Sequence, residues 1–122
     1  MTTLRRRAER GAATAELAVV LPLLVALTIG LVWLLAVGAA QVRAVDAARE
    51  TARALARGEA DAEAVARGLA VAPSGSRISV VMGAEEVTVT VRARMAGPGG
   101  LFAAVPAARV EATAVAALEP GT

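Results

Sequence analysis

Cysteine and histidine are both absent from the 122 residues. Without cysteine there is no disulfide framework, no thiolate chemistry and no zinc–thiolate site. Without histidine the commonest general base and the commonest metal ligand are missing. Aromatic residues are reduced to Trp33 and Phe102, so platforms for stacking nucleic-acid bases scarcely exist. Lysine is absent too, and all 13 basic residues are arginine. Catalysis would have to rest on carboxylates, hydroxyls and arginines. Glu85-Glu86 is the one adjacent carboxylate pair, and a turn is expected there, where solvation is the ordinary role. No glycine-rich phosphate loop, metal-ligand cluster or nucleophile–base set occurs in the sequence. The chain does not read as an enzyme, and no cofactor, metal or small-molecule substrate is expected.

Charge is absent from residues 17–40, a run of 24 residues. The hydrophobic fraction is 57%, against roughly 45–50% in ordinary soluble domains. Mean hydropathy is +0.60. A simple soluble globule and a disordered, charge-rich chain are both excluded. The length allows one small domain. As a helix, the run spans about 36 Å, enough for a hydrocarbon core of about 30 Å. A membrane-spanning helix is therefore expected over about 17–40. Pro22 lies one turn inside it, which a membrane helix tolerates when neighbours satisfy the freed carbonyl. Gly30 and Gly38 offer small faces where another helix could approach.

The formal net charge is +2, but Arg5, Arg6, Arg7 and Arg10 lie in the first ten residues. Beyond residue 11, nine arginines stand against ten Asp plus Glu, a formal −1. The basic character belongs to the N-terminal segment. No basic face is visible on the folded part, so no nucleic-acid partner is expected.

Helical patterning continues beyond the apolar run. Val45, Ala48, Ala52, Leu55 and Ala56 fall on one side, and Arg49, Arg53 and Arg57 step by four on another. Asp46 with Arg49, and Glu50 with Arg53, are favourably spaced as ion pairs. The charged side reads as a solvated face, with a contact between subunits as the sharper reading. Gly58 is a stop signal, so the helix is expected from about Ala12 to Arg57. A short helix is expected around residues 60–69, with Ala62, Val65, Ala66 and Leu69 as its apolar stripe. Pro73-Ser74-Gly75-Ser76 is turn chemistry.

A period of two then takes over. Ile78, Val80 and Met82 alternate with Ser79, Val81 and Gly83. Val87, Val89, Val91, Ala93 and Met95 alternate with Thr88, Thr90, Arg92 and Arg94, the pattern of a half-buried strand. Gly83-Ala84-Glu85 reads as a hairpin turn. Leu101, Phe102 and Val105 form an apolar loop after Gly97-Pro98-Gly99-Gly100. Val110, Ala112, Ala114, Ala116 and Leu118 suggest a third strand, and residues 119–122 a frayed tail. The expected class is α+β: a long N-terminal transmembrane helix, a short helix and a small antiparallel three-stranded sheet. The module of residues 58–122 is near the lower size limit for independent stability and is expected to lean on its own helix or on partner subunits.

The most informative feature is the boundary Arg10-Gly11-Ala12-Ala13-Thr14-Ala15-Glu16-Leu17. A positive leader ends in glycine, and a lone glutamate opens the hydrophobic run five residues later. A carboxylate at the centre of a membrane helix costs about 2.5–3.5 kcal/mol on insertion scales, less near the interface. Taken alone, Glu16 marks that interface. Taken together, the arrangement resembles a class III signal of the type IV pilin kind. With the block from Val45 to Arg53 and the strand-rich end, the chain resembles the TadE-like minor pilins or pseudopilins of tight-adherence (Flp-type) pilus systems.

The resemblance implies cleavage by a prepilin peptidase between Gly11 and Ala12 on the cytoplasmic side, with residues 1–11 as the leader. It implies an assembly or processing role for Glu16, whose carboxylate would meet the new Ala12 amine of a neighbouring subunit. The partners it implies are the membrane, the peptidase, other pilin or pseudopilin subunits and the assembly platform. The new chain would begin with Ala12 where many pilins have phenylalanine, and it lacks the disulfide loop of many type IV pilins. For topology, four arginines precede the span (Arg5, Arg6, Arg7, Arg10) and four follow it (Arg43, Arg49, Arg53, Arg57), nearly a tie. The leader favours a cytoplasmic N-terminus and an extracytoplasmic module, in the cell membrane or in an extracellular pilus. Two alternatives stand beside this reading: an uncleaved single-pass protein carrying an interaction module, and a secreted small domain cleaved after Ala40.

Overall fold

The computed structural model describes residues 2–120, without the side chain of Leu101. Gly121 and Thr122, half of the expected frayed tail, lie outside the described residues. Helix α1 runs Thr2–Ala56, and a second helix, α2, covers Asp61–Val71. Strands β1 (Arg77–Met82), β2 (Glu86–Met95) and β3 (Ala108–Ala117) follow, with a 3-10 turn at Gly100–Phe102 between β2 and β3. The sheet order is β1-β2-β3, antiparallel throughout. The α+β architecture read from the sequence is the one observed.

At 1.5 Å per residue α1 is about 82 Å long. It starts ten residues before the expected Ala12, because nothing in the leader stops a helix: residues 2–11 contain no proline, and arginine, alanine and glutamate are good helix formers. Its other end is as read. Gly58 has φ 88°, its N–H donates to the Leu55 carbonyl at 3.0 Å, and the Glu59 N–H donates to the Ala54 carbonyl at 3.1 Å. These paired bonds satisfy the last carbonyls and require the left-handed conformation that glycine adopts freely.

The core lies between the upper half of α1 and the inner face of the sheet. Ala40, Ala44, Ala47, Ala48, Ala52, Ala54 and Leu55 are buried on the helix side, and Val87, Val89, Val91 and Val110 on the sheet side. Alanine keeps the helix surface low so the sheet can come close, and the valines supply the volume. Each fully buried valine contributes about 1.5–3 kcal/mol. β3 lies alongside α1, as its alanine-rich inner face requires: Gln41 Nε2 donates to the Glu111 carbonyl at 2.8 Å, and the Glu119 N–H to the Ala56 carbonyl at 3.2 Å.

Helix α2 turns a different face inward from the expected one. Ala64 and Gly68 are buried and Val65 half-buried, whereas Ala62, Ala66 and Leu69 are exposed. The smallest residues, four apart, meet α1, because close backbone approach at Thr51 leaves no room for a side chain at Gly68. Neither of the expected ion pairs within α1 forms among the described residues. Glu50 faces Arg67 of α2 at 4.0 Å, and Arg67 also faces Glu59 at 3.3 Å. The arrival of α2 offers Glu50 a partner that the sequence of α1 alone could not reveal.

Candidate functional site

The module does not sit clear of the apolar run. Trp33 Nε1 donates to the Ala96 carbonyl at 2.9 Å. A Cβ placed on Gly30 would lie 3.3 Å from the Phe102 ring, so that ring rests on the glycine. Ala26, Gly30, Trp33 and Val37 are half-covered and Ala40 is buried, and Ala44, Ala47, Thr51 and Ala54 continue the stripe in steps of four and three. Gly30 is thus occupied by the chain's own loop and not by another helix. Gly38 faces open space, in a shallow apolar notch with Leu34, Leu35 and Val42.

The remaining sides of the run are bare. Leu17, Leu21, Leu24, Leu27, Leu31 and Leu35 are all exposed, and the most apolar window of 18 residues has mean hydropathy 2.7 with none of it buried. α1 is long and apolar enough to cross a membrane. Inside it, Thr28 Oγ1 donates to the Leu24 carbonyl at 2.8 Å, so its hydroxyl needs no water.

Arg5, Arg6, Arg7, Arg10, Gly11, Ala12 and Glu16 all lie on the exposed, unaccompanied part of α1. The Gly11–Ala12 bond is inside an unbroken helix, and Thr14 Oγ1 reaches across it to the Arg10 carbonyl at 2.8 Å. Ala12 and Glu16 are four residues apart, one turn along a single helix face. Among the described residues no cation lies within ion-pair distance of Glu16. The structure brings the boundary residues together only as a helix does, and every surface they present is open to a partner.

A basic face does exist on the folded part, contrary to the reading from sequence. Arg77 is directly opposite Arg92 across β1 and β2, and Arg94 is opposite Arg109 across β2 and β3. All four project from the outer face at one end of the sheet, around a shallow cleft that also includes Glu111. They come from three strands, so no window of sequence holds them. The one local sign is the alternation of Arg92 and Arg94 on the outward positions of β2. Among the described residues no group of three or more acidic side chains is arranged to hold a metal ion.

Residues 11–53 match the family model described as TadE-like protein. The match covers the boundary and most of α1; α2 and the sheet lie outside it. No curated protein and no solved structure matches the chain. The long apolar helix and the family together fit a membrane-anchored protein associated with a pilus system. Over residues 11–53, less than half of its length, the chain is similar to TadE-like proteins.

Proposed function

We propose that this chain is a minor pilin or pseudopilin subunit for pilus assembly, cleaved after Gly11 by a prepilin peptidase and held in the cell membrane by α1. Its role is structural and not catalytic. The observation that carries the reading is a coincidence of boundaries. The family match opens at Gly11, takes in Ala12 and Glu16, and follows the apolar helix to Arg53.

The contact between Trp33 and Ala96 bears on where the membrane would lie. The module begins at that level, and tryptophan favours the membrane interface. From Ala12 to Trp33 is about 32 Å, close to one hydrocarbon thickness. This supports a span nearer the N-terminus than residues 17–40, in which Glu16 would lie one turn inside the apolar layer. An unpaired carboxylate is costly there. Cleavage would create an ammonium group on Ala12, and Glu16 of one subunit would pair with the Ala12 amine of the next. Each charge compensates the other, and only one axial offset brings them together.

Cleavage has a structural requirement, since the Gly11–Ala12 bond must leave the helix to enter a protease. Glycine lowers that cost, being about 0.8–1.0 kcal/mol less favourable than alanine inside a helix. The alternative of a secreted domain released after Ala40 fits the geometry poorly. It would strip away Gly30, Trp33 and Ala40, which pack against the module.

The test is the intact mass of protein purified from its native membrane. A chain starting at Ala12 is the expected result. A start at Met1 leaves an uncleaved single-pass anchor, and a start at Gln41 a secreted domain; either removes the pilin reading.

A further inference from the structure

We infer that the basic end of the sheet and the uncharged loop beneath it form a second membrane contact, in which the module docks on anionic phospholipid headgroups of the leaflet beside it. This inference rests on the membrane-anchored reading of α1.

Three observations carry it. First, residues 96–107, which join β2 to β3, contain no charge, and their Phe102 and Ala96 lie against Gly30 and Trp33 of the apolar helix. The loop therefore continues the surface that α1 presents to lipid. Second, the arginines stand just above that loop. Counting back from Ala96 along β2 at about 3.3 Å per residue, Arg94 is about 7 Å and Arg92 about 13 Å from the Trp33 level. Their partners Arg109 and Arg77 share those heights. The headgroup region adds about 5–8 Å to each side of the hydrocarbon core, and long arginine stems can reach down into it.

Third, the arrangement opposes the stability of the sheet. Like charges directly opposite one another on antiparallel strands repel, yet Arg77 faces Arg92 and Arg94 faces Arg109. Glu111 pairs with Arg92 at 3.3 Å. Among the described residues Arg77, Arg94 and Arg109 have no carboxylate within 4.0 Å. An external anion relieves this repulsion. Phosphates fixed in a plane at the height of the patch supply that anion. A nucleic acid would supply it too, but the patch carries no aromatic residue for stacking, and its place beside the apolar helix favours lipid.

The experiment uses the full chain reconstituted in phosphatidylcholine vesicles containing phosphatidylglycerol. Electron paramagnetic resonance of spin-labelled lipids reads how strongly the protein selects phosphatidylglycerol over phosphatidylcholine. The leader arginines contribute a constant background, so the readout is the difference between wild type and R77Q/R94Q/R109Q. Selectivity is expected to fall at least twofold in that variant and to persist in R77K/R94K/R109K. In the wild type it should also weaken as salt rises from 0.1 to 1 M, where the screening length shrinks from about 10 to about 3 Å. The glutamine variant relieves repulsion and should unfold no earlier than wild type. If it fails to fold, the lysine variant and the salt series decide.

Equal selectivity in wild type and the glutamine variant, or selectivity in the wild type that ignores salt, overturns the docking. Quenching of Trp33, the sole tryptophan, by brominated lipids separates the two levels. If Trp33 is quenched while selectivity ignores the arginines, docking alone fails. If no brominated lipid quenches Trp33, the membrane placement of α1 fails and the docking falls with it.

Discussion

Gly68 lies so close to Thr51 that a Cβ on the one would occupy the place of the other's hydroxyl. That hydroxyl is buried and donates to the Ala47 carbonyl at 2.8 Å, and the same carbonyl would lie 3.3 Å from the added carbon. Gly68→Ala should therefore cost about 1–3 kcal/mol, the range for overfilling a packed site. Thr51→Ala in the same background should recover part of the loss. Thermal unfolding of the full chain in detergent, followed by circular dichroism, reads all four members of the cycle. Additive effects would mean that the two helices separate to accept the methyl group.

Glu16→Ala removes a carboxylate from the bare part of α1, where no intramolecular partner would be lost. The protein should reach the membrane fraction in normal amounts while piliation falls or precursor accumulates. Counting pili by electron microscopy beside a membrane fractionation separates assembly from insertion. Normal pili in this variant would exclude the proposed pairing with Ala12.

Gly11→Leu places a bulky side chain at the proposed cleavage site and strengthens the helix through it, leucine being a better helix former than glycine. Both effects oppose cleavage. Full-length precursor should accumulate, visible as a chain heavier by the eleven leader residues. Maturation at the normal rate would count against recognition of this bond.

Gly30→Val should displace Phe102, whose ring lies 3.3 Å from where the new Cβ begins. The glycine-rich stretch beside that ring would lose its anchor, whereas the sheet, held by its own register, would not. Proteolysis confined to residues 97–100 should accelerate several-fold, with little change in global unfolding. A loop as resistant as wild type would show that the Trp33–Ala96 hydrogen bond alone holds it.

The strands were legible from their alternation, which is strict in β2 with a mainly valine inner face and is repeated in β3 with alanine. The end of α1 was legible because Gly58 is a stop signal at which the helical pattern breaks before it restarts in α2. What escaped the sequence depended on pairing. The inward face of α2 was chosen by closeness to Thr51 and not by apolar content, so Leu69 stayed outside. Glu50 found Arg67 across a helix pair in preference to Arg53 on its own helix. The basic patch draws on three strands, and its members become neighbours only once Arg77 pairs with Arg92 and Arg94 with Arg109. Of the candidate site, Gly11, Ala12 and Glu16 could be singled out because the proposed signal is a matter of linear spacing. The cover over Gly30 was not, because it comes from a loop about seventy residues away in the chain.

The position of Pro22 gives the long helix two mechanical regimes. Above Ala26 one face of α1 is braced by the module, down to the Phe102 ring on Gly30. Below it the helix is a single unsupported rod, and Pro22 removes one rung of its hydrogen-bond ladder there. Bending compliance is therefore concentrated within a turn of Pro22. A subunit that must change tilt between a flat bilayer and a curved bundle of helices would flex at that joint, carrying its sheet along as a rigid outrigger.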